Sequence, residues 1–90
     1  MTRYLKDPEA TLDYKFNWLA WLDSDTIATK VVTIDDGATV ESSAITDTNT
    51  SVTAFVSGGT VGRSYVLSCK ITTVGGRIDE RSLTILVVER

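Results

Sequence analysis

The side chains in this chain that could do chemistry are mostly carboxylates, and their spacing decides what they can do. Asp23 and Asp25 flank Ser24, and Asp35 and Asp36 stand side by side. Oxygen-rich sets can bind Ca²⁺, but a Ca²⁺ loop alternates its ligands along Asp-x-Asp-x-Asp-Gly and closes on a bidentate Glu. Neither cluster has that order, so both read as solvated turns and no metal site is expected. Asp79 and Glu80 could pair for acid–base work. Adjacent residues on a strand point to opposite faces, however, so these two carboxyls cannot converge across a cleft. Beside Arg77 and Arg81 they read as charge that keeps a strand soluble and out of edge pairing.

Other catalytic equipment is missing. The chain has no histidine, which removes Ser-His-Asp triads, Cys-His dyads and His-based zinc sites. One cysteine, Cys69, permits no internal disulfide. It lies on the apolar parity of its segment, which makes it a small core residue and not a reactive thiol. Gly58-Gly59-Thr60-Val61-Gly62 is followed by no Lys-Ser/Thr pair and opens no helix, so it is a turn and not a phosphate loop. No catalytic residue, no cofactor and no enzyme activity are expected. Trp18 and Trp21 remain. They could stack on sugar rings as in a carbohydrate-binding module, or they could fill the core and rim at one end of the fold.

The elements that must position these residues are strands. Ninety residues allow one domain with a thin core. The net charge of −3 and the scattered Lys and Arg argue against nucleic-acid binding. No apolar run approaches the ~20 residues of a membrane span, and Met1-Thr2-Arg3-Tyr4-Leu5 has no signal-peptide character. The protein is expected to fold in the cytoplasm, where it is made.

Residues 1–10 read as an N-terminal arm, broken by Asp7-Pro8-Glu9. Residues 11–90 read as a single β-sandwich domain. Leu12, Tyr14, Phe16 and Trp18 alternate with polar residues, the mark of a half-buried strand. The alternation fails at Trp18-Leu19-Ala20-Trp21-Leu22, where a single helical turn capped by Asn17 fits better and would plug one end with a tryptophan. From Thr26 to Ile34 the parity slips between Ile27 and Val32, which predicts a bulge near Lys30 or Val31. Two short strands, 38–41 and 43–46, follow the Asp35-Asp36-Gly37 turn. Thr50 to Val56 turns Val52, Ala54 and Val56 inward and Phe55 outward.

The last two strands form a hairpin. Tyr65, Leu67, Cys69 and Ile71 share one parity; Leu83, Ile85 and Val87 share another. A three-residue loop, Gly75-Gly76-Arg77, pairs Cys69 with Leu83, Leu67 with Ile85 and Tyr65 with Val87, so that the inner face is apolar throughout. The outer face then sets Val66 against Leu86 and Ser64 against Val88. Val66, Leu86 and Val88 form an apolar patch on a face that should be polar if it meets water. Either a partner covers this patch or the arm folds over it with Tyr4 and Leu5. Tyr4, Leu5, Val66, Leu86 and Val88 are therefore the candidate partner-interface residues. About seven short strands separated by turns point to an antiparallel sandwich of immunoglobulin-like type, with Tyr65 placed as in a tyrosine corner.

The order of these marks resembles a known family. Leu5-Lys6-Asp7-Pro8, Asp13-Tyr14 with Trp18 and Trp21-Leu22, and Asp25-Thr26-Ile27 carry the first half of the likeness. Ser57-Gly58-Gly59-Thr60, Gly62, Tyr65, Ile71-Thr72-Thr73, Gly75-Gly76-Arg77, Arg81-Ser82 and Leu83 to Val88 carry the second. Together they resemble short phage fiber-tail adaptor or virion structural proteins. The resemblance implies an immunoglobulin-like sandwich in the virion. It implies protein–protein contacts with tail, connector or fiber subunits, in multiple symmetric copies, and it carries over no catalytic residue. A capsid decoration protein and a module contacting host glycan are the alternative readings.

Overall fold

The alternating segments fold as the sequence predicts, into two packed sheets closed by one helical turn. The computed structural model describes residues 2–89; Met1 and Arg90, the outer ends of the two expected segments, lie outside them. The elements are β1 (Thr2–Lys6), β2 (Leu12–Asn17), α1 (Leu19–Leu22), β3 (Ile27–Ile34), β4 (Ala38–Thr46), β5 (Ser51–Gly58), β6 (Ser64–Thr73) and β7 (Ile78–Val87). One sheet has the order β1-β7-β6-β3 and the other β2-β5-β4. All pairings are antiparallel except β1 with β7, which run parallel.

Period-two alternation places the core between the sheets. Tyr14 and Phe16 from β2 and Val52, Ala54 and Val56 from β5 face Leu67, Cys69 and Ile71 from β6 and Leu83 and Ile85 from β7. Trp18 and Leu22 close one end of this core. Asn17 stands one residue before the helix N-cap, and its side-chain oxygen accepts the Leu19 N–H at 2.9 Å. The long connections dock on this end too: Trp18 N–H donates to Thr50 C=O, and Ile27 N–H donates to Asn49 C=O.

The other end is tied by Tyr65. Its hydroxyl accepts the Thr60 N–H at 2.9 Å, the backbone bond of a tyrosine corner. Gly59 lies against this ring with φ +99°, and a Cβ there would sit 2.6 Å from Val87 Cγ2. Only glycine fits both the backbone angle and the space.

Three local expectations need correction. The parity slip in β3 is real, but the irregularity falls between Ile27 and Thr29, earlier than Lys30 or Val31. The bond from Ile27 to Asn49 anchors the strand's first residue, so the slip is taken up at once. The two short strands after Gly37 are one strand, β4, interrupted by a register shift between Val40 and Ser42.

The final hairpin differs most. Its three-residue loop is Val74-Gly75-Gly76, closed by Thr73 N–H donating to Arg77 C=O at 2.8 Å. The register is Tyr65 with Ile85, Leu67 with Leu83, Cys69 with Arg81 and Ile71 with Asp79. Polar residues thus reach the inner face, which is not apolar throughout as the alternation predicts. They are accommodated because the end of the core is lined by polar partners. The indole N–H of Trp18 donates to Asp79 Oδ2 at 2.9 Å, and Arg81 Nη1 donates to Asn17 C=O at 2.7 Å.

Candidate partner-binding surface

Asp25, Asp35, Asp79 and the two tryptophans, singled out by type, are occupied in holding the fold. Asp25 accepts the Thr26 and Gly75 N–H groups and pairs with Arg77. A hydrogen bond from the Thr73 hydroxyl, then those backbone bonds and Arg77, hold its carboxyl down to about 2. Asp35 Oδ2 accepts the Val66 N–H. Asp79 and Glu80 lie on opposite faces of β7, the first beneath Trp18 and the second beside Lys70. Among the described residues no three His, Cys, Asp or Glu side chains gather as a metal would require, and no helix is long and apolar enough to cross a membrane. Burial raises the Cys69 thiol to about 11, which keeps it protonated in the core.

The tryptophans do not make a sugar platform. Trp18 is 0% exposed, stacked on Phe16 with Arg81 over its ring. Trp21 is half-buried under the Arg77 guanidinium, 4.4 Å from the ring centroid. Arg77 also donates to the Trp21 and Leu22 carbonyls and so fastens the hairpin to α1. A stacking site needs two open rings, and Trp18 offers no exposed face.

What remains as a candidate surface is the outer face of the four-stranded sheet. It falls into rows across β3, β6 and β7. Val31, Lys70 and Glu80 form one row; Thr33, Ser68 and Ser82 form the next, with the two serine hydroxyls 2.9 Å apart. Beyond these the face becomes apolar. Leu5 pairs with Leu86 across β1 and β7, and Ser64 completes that row. Val66 pairs with Thr84 instead of Leu86, so it reaches Leu86 diagonally. Val88 follows β7, its N–H donating to Lys6 C=O. Leu5 is 47% exposed; Val66, Leu86 and Val88 are half-buried.

The structure separates the five predicted residues. Leu5, Val66 and Leu86 share the outer face. Tyr4 aligns with Ile85 on the inner side and meets Tyr14 edge-on, with ring centroids 5.3 Å apart. The alternative in which the arm folds over the patch is not realised. β1 extends the sheet sideways, so Leu5 enlarges the patch.

Sequence reasoning missed Lys6. Its side chain is 1% exposed, and its ammonium donates to the Gly58 and Asp7 carbonyls at 2.7 and 2.9 Å. Burial lowers its pKa, and Asp7 opposes that shift. The available signal was parity, since Lys6 shares the inward parity of Tyr4.

A small sandwich whose Asp25, Asp79, Arg77 and Arg81 side chains tie its own elements together, with one partly apolar sheet face, is a structural interaction module. The chain matches a family model over residues 6–86, nearly its whole length, and belongs to that family, described as podophage GP4 fiber-tail adaptor protein gp77. Members are non-enzymatic structural adaptors of the virion that link the tail to its fibers. Among curated proteins, none matches the chain.

Proposed function

We propose that the outer face around Leu5, Val66, Leu86 and Val88 is a surface through which this adaptor grips a tail, connector or fiber subunit; Tyr4, on the inner side, is not part of it. The observation that carries this reading is the edgewise docking of β1. It leaves Leu5, 47% exposed, beside Leu86 on the outer face of the sheet. An apolar patch of this kind on a soluble domain gains by being buried against a partner. Multiple symmetric copies are proposed as well, since closed symmetry lets one surface serve every copy. In this reading residues 11–90 are the sandwich body and residues 1–10 an arm that docks on its edge as β1. The turn at Asp7, where Ala10 N–H donates to Asp7 C=O, supports that division. The Tyr65 corner bond supports the immunoglobulin-like kinship of the sandwich.

The test is Leu86→Asp, with circular dichroism confirming the fold. Particles assembled with this variant as the only copy should lose most of the adaptor. Normal incorporation would refute the assignment of the patch.

A further inference from the structure

The first half of β7 lacks a neighbour on one side. β1 pairs only with Leu83–Val87, while β7 begins at Ile78. Along Ile78–Arg81 no described strand lies on that side. Strand alternation identifies the groups left over. Val87 donates to Arg63 C=O and accepts from Gly62 N–H, whereas Val88 N–H donates to Lys6 C=O. Odd residues therefore turn their peptide groups toward β6, and even residues turn theirs toward β1. Thr73 donating to Arg77 keeps the odd phase at the hairpin end, and the β6–β7 register runs without a shift. The N–H and C=O groups of Ile78 and Glu80 thus face the open side.

The side chains at this edge fit a strand and select for one. A cleft of about 180 Å³ opens between β7 and β2, walled by Tyr4, Phe16 and Leu83 and rimmed by Lys15 and Arg81. The inward charges of Asp79 and Arg81 discourage indiscriminate edge pairing. Asp79 Oδ2 is already bonded to Trp18 and Arg81 Nη1 to Asn17, and the two side chains pair with each other, so an incoming strand meets charges that are largely matched.

We propose that Ile78–Arg81 is a strand-addition site for an extended segment of a partner virion protein. The segment lies in line with β1, and one bulky apolar side chain points inward to the cleft wall of Tyr4, Phe16 and Leu83. Unpaired peptide groups in strand geometry are matched by another backbone. The cleft lies on the inner side of the same edge, where alternate residues of an added strand point. This edge is distinct from the apolar outer face, so an adaptor holding two components has a surface for each.

Glu80→Pro tests it, because proline removes the N–H that faces the open side and is tolerated where that group is not bonded within the sheet. Glu80→Ala keeps the N–H and removes only the charge. With each variant as the only copy, Glu80→Pro should lower incorporation into particles by about tenfold or more, while Glu80→Ala should not. Equal incorporation of both variants, or equal loss of both, overturns the proposal. Should Glu80→Pro fail to fold, hydrogen exchange of the unaltered chain decides. The Ile78 and Glu80 amides should exchange at least about tenfold more slowly in the particle than in the purified protein. Unchanged exchange overturns the proposal.

Discussion

Removing the Asp79 carboxylate should unseat the tryptophan that closes the core. Trp18 is 0% exposed, and in Asp79→Ala its N–H loses its 2.9 Å acceptor. A buried donor left without a partner costs about 1–3 kcal/mol. The Arg81–Asp79 pair, with side chains 40% and 33% exposed, is 3.5 Å long and adds less than about 1 kcal/mol after solvent screening. The expected loss is about 2 kcal/mol, which for a domain of this size lowers Tm by roughly 8–16 °C. Urea unfolding followed by far-ultraviolet circular dichroism measures it. Trp18→Phe deletes the donor but also trims a packed ring, so on its own it is ambiguous. The double variant resolves this. Once the donor is gone, Asp79→Ala should cost little more, giving a coupling of about 1–2 kcal/mol. A coupling below about 0.5 kcal/mol would show that the indole bond does not hold the plug.

Other outcomes follow from the same structure. Asp25, depressed from 3.8 to about 2, contributes stability that is fully present above pH 4 and lost as pH falls toward 2. Asp25→Asn should flatten that acid limb, and a carboxyl titration midpoint near 4 would contradict the assignment. Cys69, at 0% exposure with its pKa raised to about 11, should react with a thiol reagent at pH 8 only as fast as the protein opens. Rapid labelling of the native state would place the thiol elsewhere. Gly59→Ala should cost at least about 1–3 kcal/mol through backbone strain alone, read as a fall in Tm. Thr48, a β-branched residue at φ 57°, should gain up to about 1 kcal/mol on replacement by Gly; a loss would mean its side chain makes a contact worth more than the strain.

Much of the sandwich was legible because alternation is local. Tyr14 and Phe16, the Val52-Ala54-Val56 set, and Leu67 with Cys69 each declare an inner face within a few residues. The helical turn announced itself the same way, by breaking the alternation after Asn17. Register was harder, since it depends on what lies across the core. The rule that inner faces are apolar misplaced the last hairpin by two residues. It could not know that Trp18 and Asn17 would offer polar partners to Asp79 and Arg81. The candidate patch suffered for it: Val66 lost Leu86 as its direct neighbour, and Tyr4 went to the opposite face from Leu5. The parallel pairing of β1 was not legible at all. It joins the two most distant strands of the chain, and no short window holds both.

That pairing has a mechanical meaning. β1 and β7 lie side by side in the same direction, bonded from Thr2–Leu83 to Lys6–Val87. A pull that drags the start of β1 away from the finish of β7 runs along the strands, not across them. It strains every rung of that ladder together, where a peeling force would snap them one after another. For an adaptor between tail and fiber, such a seam resists sliding where a peeled edge would give way.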